Sequence, residues 1–145
     1  MEVSLEPSTI DDLGRLTALK LQVMNPQLER IGRLDSARSA ARFAREFRPG
    51  ATQLILADGV FAGCVTLYAA DEAWILEHFY LRPEYQGSGL GAEVLRRLLA
   101  EADAAGAAVR LSVLIESAAN RFYPRHGFVE THREAFDIYY RRAPA

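Results

Sequence analysis

The sequence predicts an α/β fold with a mixed, mostly antiparallel central sheet and flanking helices, in the order β-α-α-β-β-β-α-β-α-β-β. Three observations carry that reading. Two early segments repeat apolar residues at helical spacing, the middle changes to strand-like runs parted by turn residues, and helical spacing returns from Leu90. With 145 residues and no internal repeat, low-complexity tract or long linker, the expectation is one domain over residues 1–145.

Residues 2–6 read as a short strand. Ser8 or Thr9 can cap a helix in which Ile10, Leu13, Leu16, Leu19 and Val23 recur at helical spacing. Asn25-Pro26 interrupts the pattern and predicts a break or kink. A second helix follows Asp35 or Ser36, buries Ala40, Phe43, Ala44 and Phe47, and stops at Pro49-Gly50. The period then changes. Residues 54–57, the pair Asp58-Gly59 and residues 60–68 form a strong hairpin signal, because Asp-Gly favours a type I′ turn. A further turn at 70–72 leads into residues 74–81, giving three successive strands, most simply an antiparallel meander. Leu90, Val94, Leu95, Leu98, Leu99 and Ala102 mark the next helix, with Gly106 placed to end it. Residues 109–115 are apolar and β-branched enough for a strand, Ser117 can cap a short helix ending before Gly127, and 128–131 with 136–140 close as a hairpin.

Composition excludes several function classes. The net charge of −2 gives no electrostatic reason to expect nucleic acid or a membrane surface as partner. Arg38, Arg42, Arg45 and Arg48 cluster, but at a spacing that makes a solvated helix face. Cys64 is the one cysteine, so no intramolecular disulfide or zinc-type pairing exists, and its apolar surroundings in the sequence predict a buried structural thiol. No apolar stretch approaches the ~20 residues of a membrane span. The N-terminus, with Glu2 and Glu6, lacks a signal peptide's basic start and apolar core, so the expected location is the cytoplasm.

The most informative segment is Gln86-Gly87-Ser88-Gly89-Leu90-Gly91, which runs straight into an amphipathic helix. Glycines let backbone approach a ligand closely, and a helix start offers unpaired N–H groups at the positive end of the dipole, a combination that favours phosphate. The Walker pattern fails, because no Lys-Ser or Lys-Thr follows the glycines. A dinucleotide pattern fits as Gly87-x-Gly89-x-x-Ala92, with Glu116 near the end of the next strand. That motif, however, needs glycines directly at a strand end within a parallel β-α-β unit. Here residues 82–86 intervene, the preceding strand belongs to a meander, and the chain leaves little room for a substrate domain, so a nicotinamide oxidoreductase is disfavoured.

Leu81-x-Pro83-x-x-Gln86-Gly87-x-Gly89-x-Gly91 resembles the acetyl-coenzyme A signature of the GNAT superfamily of N-acetyltransferases. A second block, Leu111-Ser-Val113 followed by Ala119-x-x-Phe122-Tyr123-x-x-x-Gly127-Phe128, resembles the same family's downstream strand, helix and Gly-Phe close. The order of elements agrees from residue 2 to about 141, while the motifs lie within 74–128. The resemblance implies the GNAT-like acyl-CoA N-acyltransferase fold, a sheet splayed between its fourth and fifth strands, and acetyl-coenzyme A as co-substrate without a metal. It assigns cofactor contacts to Phe79, Leu81, Gln86, Gly87, Ser88, Gly89, Leu90, Gly91, Asn120 and Tyr123. One departure is Glu116, which stands where the family commonly has Asn at the start of the second block. Ser117 is then a candidate replacement cap, and Asn120 a candidate for the cofactor.

Acetyl transfer to an amine requires loss of an amine proton, support for the thioester carbonyl and a proton for the leaving thiolate. The resemblance aligns Tyr123 with the tyrosine that protonates the sulfur in many members, and places the carbonyl on backbone N–H groups near Leu81. Glu77 and His78 are the candidate bases, on the strand where the family often uses a carboxylate acting through water. Adjacent strand residues face opposite sides, so only one of them is expected to reach the reacting groups. His126 and His132 read as structural. The acceptor pocket is expected from residues 24–35 with the last hairpin, where Glu29, Asp35 and Asp137 suit a cationic amine, and Arg30 and Arg33 a carboxylate. The expected activity is acetylation of a primary amine on a small molecule or peptide. The rival reading is a non-catalytic acyl-CoA-binding regulator of the same fold, which would need neither Tyr123 nor a base. A homodimer through edge strands is compatible with the sequence.

Overall fold

Asp58 and Gly59 both take positive φ, 51° and 79°, which is the backbone a type I′ hairpin demands. The computed structural model describes residues 1–145, and this turn joins two of its seven strands, β2 (Thr52–Ala57) and β3 (Val60–Tyr68). The elements that precede them are β1 (Val3–Pro7), α1 (Leu13–Arg30) and α2 (Ser36–Glu46). Those that follow are β4 (Trp74–Leu81), α3 (Leu90–Ala104), β5 (Val109–Leu114), α4 (Ala119–Phe122), β6 (Val129–Arg133) and β7 (Asp137–Arg142). The order is the predicted one, element for element. The strands hydrogen-bond in the order β1-β2-β3-β4-β5-β7-β6, a mixed sheet. No helix is long and apolar enough to cross a membrane.

The chain forms two compact units, Met1–Thr66 with His78–Val94, and Leu67–Glu77 with Leu95–Ala145, so β3, β4 and α3 each contribute to both. In the first, β1 pairs antiparallel with β2, and β2 with β3. Arg82 N–H donates to the Ala62 carbonyl (2.8 Å) and Cys64 Sγ–H to that of His78 (3.4 Å), so the numbering on β3 and β4 runs in opposite senses, as a meander requires. Leu16 and Leu19 of α1, Phe43 of α2, Leu54, Cys64 and Tyr80 form the buried cluster. Burial pushes the Cys64 thiol up to about 12, as befits a structural cysteine.

Helix starts follow the predicted chemistry. Thr9 and Asp12 form a reciprocal capping box over a single 3-10 turn (Ile10–Asp12), which leads into α1. The Asp35 carboxylate accepts the Arg38 N–H at 3.0 Å and caps α2. Two expectations fail, and of the break or kink expected at Pro26 the break fails. Ile10 is 64% exposed, because it sits in the 3-10 turn and not on the apolar stripe of α1. Ala44 is exposed, since α2 buries a narrower face centred on Phe43. Pro26 does not end α1. Proline removes one donor, the bond to the Gln22 carbonyl, while half-buried Val23 and Met24 before it and Leu28 after it hold the helix on both sides.

In the second unit β4 pairs in parallel with β5 at Trp74 with Val109 and at Ile75 with Arg110. Antiparallel pairing joins β5 to β7 and β7 to β6, the latter with a register shift between Glu130 and His132. Alternation is clean on β5, where Val109, Leu111 and Val113 are buried and Arg110 and Ser112 exposed. Gly106, at φ 65°, ends α3 as predicted, with Ala107 N–H returning to the Ala102 carbonyl at 2.8 Å. Every residue of β6, the outermost strand, is exposed.

Candidate active site

The glycine segment folds as a strand-to-helix loop in the first unit. After Leu81 the chain makes a 3-10 turn at Pro83–Tyr85, and the Gln86 side-chain amide donates back to the Leu81 carbonyl at 3.0 Å. Gly87 and Gly89 adopt φ of 73° and 87°, where a side chain is strained, and nothing lies within 4 Å of the place a Cβ would occupy on either. Ser88 Oγ–H donates to the Tyr85 carbonyl and accepts the Leu90 N–H at 3.4 Å. Gly89 accepts the Glu93 N–H at 3.1 Å, so α3 begins directly after the glycines, anchored by the fully buried Leu90. An open glycine backbone before the first turn of a 15-residue helix suits an anionic group such as a pyrophosphate. The residues present therefore fit a coenzyme A pyrophosphate.

Both ring nitrogens of His78 have partners within the fold. The residue lies inside β4 yet has φ 49°, a left-handed conformation uncommon for a strand residue other than glycine. Its Nε2 is 2.8 Å from Glu46 Oε1, and its Nδ1 is 3.0 Å from the Tyr80 hydroxyl. A carboxylate only accepts, so Nε2 carries the proton, and Nδ1 of the neutral ring accepts from Tyr80. The ring also meets Phe43 edge-on, with centroids 4.9 Å apart. Burial pulls the imidazole below its ordinary range, against the opposing influence of Glu46. Burial alone would raise Glu46, but Arg42 and His78 more than offset that and keep it ionised. Of the His78 side chain 6% is exposed, and both ring nitrogens are engaged within the fold. Beside it, Lys20 is buried on α1, donates to the Ser39 carbonyl at 3.1 Å and stands 5.9 Å from the Phe43 ring centre.

Gly63, opposite on β3, accounts for the close approach of this stretch of β4. A Cβ there would meet the Tyr80 carbonyl oxygen at 2.2 Å. Sequence reasoning missed Glu46, Tyr80 and Gly63. Lys20 carried a signal, because it follows Leu16 by four and interrupts the apolar stripe of α1; the other three looked like ordinary helix and strand residues.

In the second unit Tyr123 lies at the end of α4, packed edge-on against Phe122 and Phe128. Burial raises its phenol well above the usual range. Asn120 is committed to the fold. Its amide donates to the carbonyls of Leu114 (3.0 Å) and Ser117 (3.1 Å), while its oxygen accepts from the Tyr140 hydroxyl (2.8 Å). Its side chain thus ties β5, α4 and β7 together. Ser117 Oγ accepts the Ala119 N–H at 3.2 Å, so both residues order the start of α4. Glu116 takes φ 68°, a conformation Asn tolerates better than Glu.

Glu77 and Phe79 are half-buried on β4, Glu77 in the second unit and Phe79 in the first. The segment expected to shape the acceptor pocket is shorter than predicted, because α1 continues to Arg30 and takes Glu29 with it. Asp35 is spent on capping, whereas Glu29, Arg30 and Arg33 are exposed and Asp137 opens β7. No cluster of three or more His, Cys, Asp or Glu is assembled to hold a metal.

Residues 50–130, more than half of the chain, match the sequence model of a family described as acetyltransferase (GNAT) domain. No curated protein matches by sequence. Among solved structures, the chain is similar to the ribosomal-protein-S18-alanine N-acetyltransferase of Escherichia coli, at 17% identity and TM-score 0.74, covering 99% of this chain and 95% of that one. The PaiA N-acetyltransferase of Thermoplasma acidophilum, solved in complex with coenzyme A, matches at 18% identity and TM-score 0.69 over 99% of each chain. An acetyltransferase of Thermus thermophilus matches at 20% identity and TM-score 0.76, over 99% of this chain and 97% of that one. At such identities these likenesses concern the fold.

Proposed function

This chain belongs to the GNAT family of acetyltransferases, and on that premise we propose that it moves the acetyl group of acetyl-coenzyme A directly to a primary amine of a small molecule or peptide. The observation that carries the reading is the open glycine backbone at Gly87 and Gly89, immediately before α3 and inside the matched region. Residues 86–91 would hold the pyrophosphate through backbone N–H groups and the helix dipole. Backbone N–H groups of β4 near Leu81 would support the thioester carbonyl as it gains negative charge.

The amine nitrogen attacks the carbonyl carbon, the C–N bond forms and the C–S bond breaks, leaving a thiolate. Tyr123 is our candidate donor to that sulfur. Its burial keeps the phenol protonated at neutral pH, so it always has a hydrogen to offer. A phenol is a weaker acid than a thiol, so Tyr123 acts by hydrogen-bonding the sulfur as charge develops there. The ammonium substrate gives up two protons overall, one before attack and one from the nitrogen of the tetrahedral adduct; one of them ends on the coenzyme A sulfur and the other leaves through water. Glu77, acting through water, is the base we favour, because His78 has both nitrogens engaged.

Thermal denaturation with acetyl-coenzyme A and, separately, with NADH tests the cofactor. A rise in Tm with the first alone is expected, and no rise with acetyl-coenzyme A would sink the proposal. A panel of primary amines read by thiol release then identifies the acceptor. Against the best amine, Tyr123→Phe removes one hydrogen-bond donor to the developing thiolate and should lower kcat on the order of a hundredfold, with acetyl-coenzyme A affinity nearly intact.

A further inference from the structure

The left-handed backbone at residue 78 of β4 is held by more than backbone preference. Residue 78 is neither Gly nor Asn, so its φ of 49° is held against the intrinsic preference of the chain. Three separate contacts do the holding. Glu46, the last residue of α2, accepts from Nε2, the Tyr80 hydroxyl donates to Nδ1, and Cys64 Sγ donates to the His78 backbone carbonyl. Phe43 closes the ring's edge. An apolar side chain would fill the same volume without demanding partners. A buried imidazole bonded at both nitrogens fixes an orientation as well as a volume. Charged and titratable groups face it from each neighbouring element: Lys20 from α1, Arg42 and Glu46 from α2, Cys64 from β3 and Tyr80 from β4. Arg42, 3.3 Å from Glu46, helps keep that carboxylate an acceptor.

We propose that Glu46, acting through the His78 imidazole, is a positioning residue for thioester binding. The pair holds the left-handed backbone at residue 78, and that backbone sets the direction of the β4 N–H groups that meet the acetyl carbonyl near Leu81. The inference rests on the reading that acetyl-coenzyme A binds along this strand. It assigns a role to a helix α2 residue that neither touches the substrate nor belongs to the glycine loop.

The test compares calorimetric affinities for acetyl-coenzyme A and for S-ethyl-coenzyme A, a thioether of similar size without the carbonyl. Wild type should favour the thioester by about fivefold, the worth of one hydrogen bond. Glu46→Ala should bring that ratio close to one while S-ethyl-coenzyme A binds within twofold of wild type. Glu46→Gln retains an acceptor for Nε2–H and should restore the preference. His78→Asn tolerates the left-handed backbone but is too short to reach Glu46, and it should lose the preference too. It gives the readout if Glu46→Ala fails to fold by circular dichroism. A preference unchanged in the folded Ala or Asn variant, or both ligands weakened equally, overturns the proposal. Equal affinities in wild type overturn it while leaving cofactor binding intact, and no binding of either ligand overturns the cofactor reading along with it.

Discussion

At residue 63 the absence of a side chain is a structural requirement. An added methyl would lie 2.2 Å from the Tyr80 carbonyl oxygen and 3.0 Å from the Leu81 side chain, and the first of these is backbone that cannot step aside. Gly63→Ala should therefore cost about 1–3 kcal/mol, the usual range for overpacking, measured by urea unfolding. A variant as stable as wild type would show that β4 can retreat from β3. His78 teaches the converse lesson. His78, one of the two candidate bases on this strand, has its ring nitrogens bonded to Glu46 and Tyr80. The partner from α2 lies 32 positions away in the chain. No local pattern in the sequence announces such a pairing, and neither periodicity nor motif could have supplied it.

Among the elements, those governed by short-range chemistry were legible from the sequence. The Asp58-Gly59 turn, the Asp35 cap and the Gly106 helix stop each depend on a few adjacent residues, and each stands where expected. Ile10 was misread because a single 3-10 turn overrode the local rule, and Pro26 does not break α1 because packing on both sides of it holds the helix. The glycine loop was legible for the same reason as the turns, whereas the commitment of Asn120 was hidden, because Tyr140 arrives from a distant strand. A further long-range tie joins α3 to the C-terminal segment. Arg142 donates to both oxygens of Asp103 at 2.8 and 3.1 Å, and the Ala145 N–H adds a third bond at 2.9 Å. Arg142 first, then Ala145, hold the Asp103 carboxyl down at about 2, below its ordinary 3.8. The folded-state value is the lower one, so the stabilisation is complete above about 3.8 and fades as pH falls through about 2. Asp103→Asn should accordingly flatten the acid limb of a Tm-against-pH curve in that window; an unaltered limb would remove Asp103 from the account.

For the whole molecule, the reading of residues 1–145 as one acetyltransferase domain predicts a single cooperative unfolding transition, although contacts group the residues into two units. The backbone of β3, β4 and α3 runs through both groups. Scanning calorimetry should give equal calorimetric and van't Hoff enthalpies, and two resolved peaks would refute the one-domain reading. The outer strand β6 has a consequence of its own. All five of its residues face solvent, Glu130 and Arg133 pair along it at 2.7 Å, and its ladder shifts register between Glu130 and His132. A free sheet edge is a template for any passing strand, and charge together with irregular spacing is how such templates are spoiled. Concentrated solutions of this protein are thus guarded, at this edge, against growth of copies into ribbons.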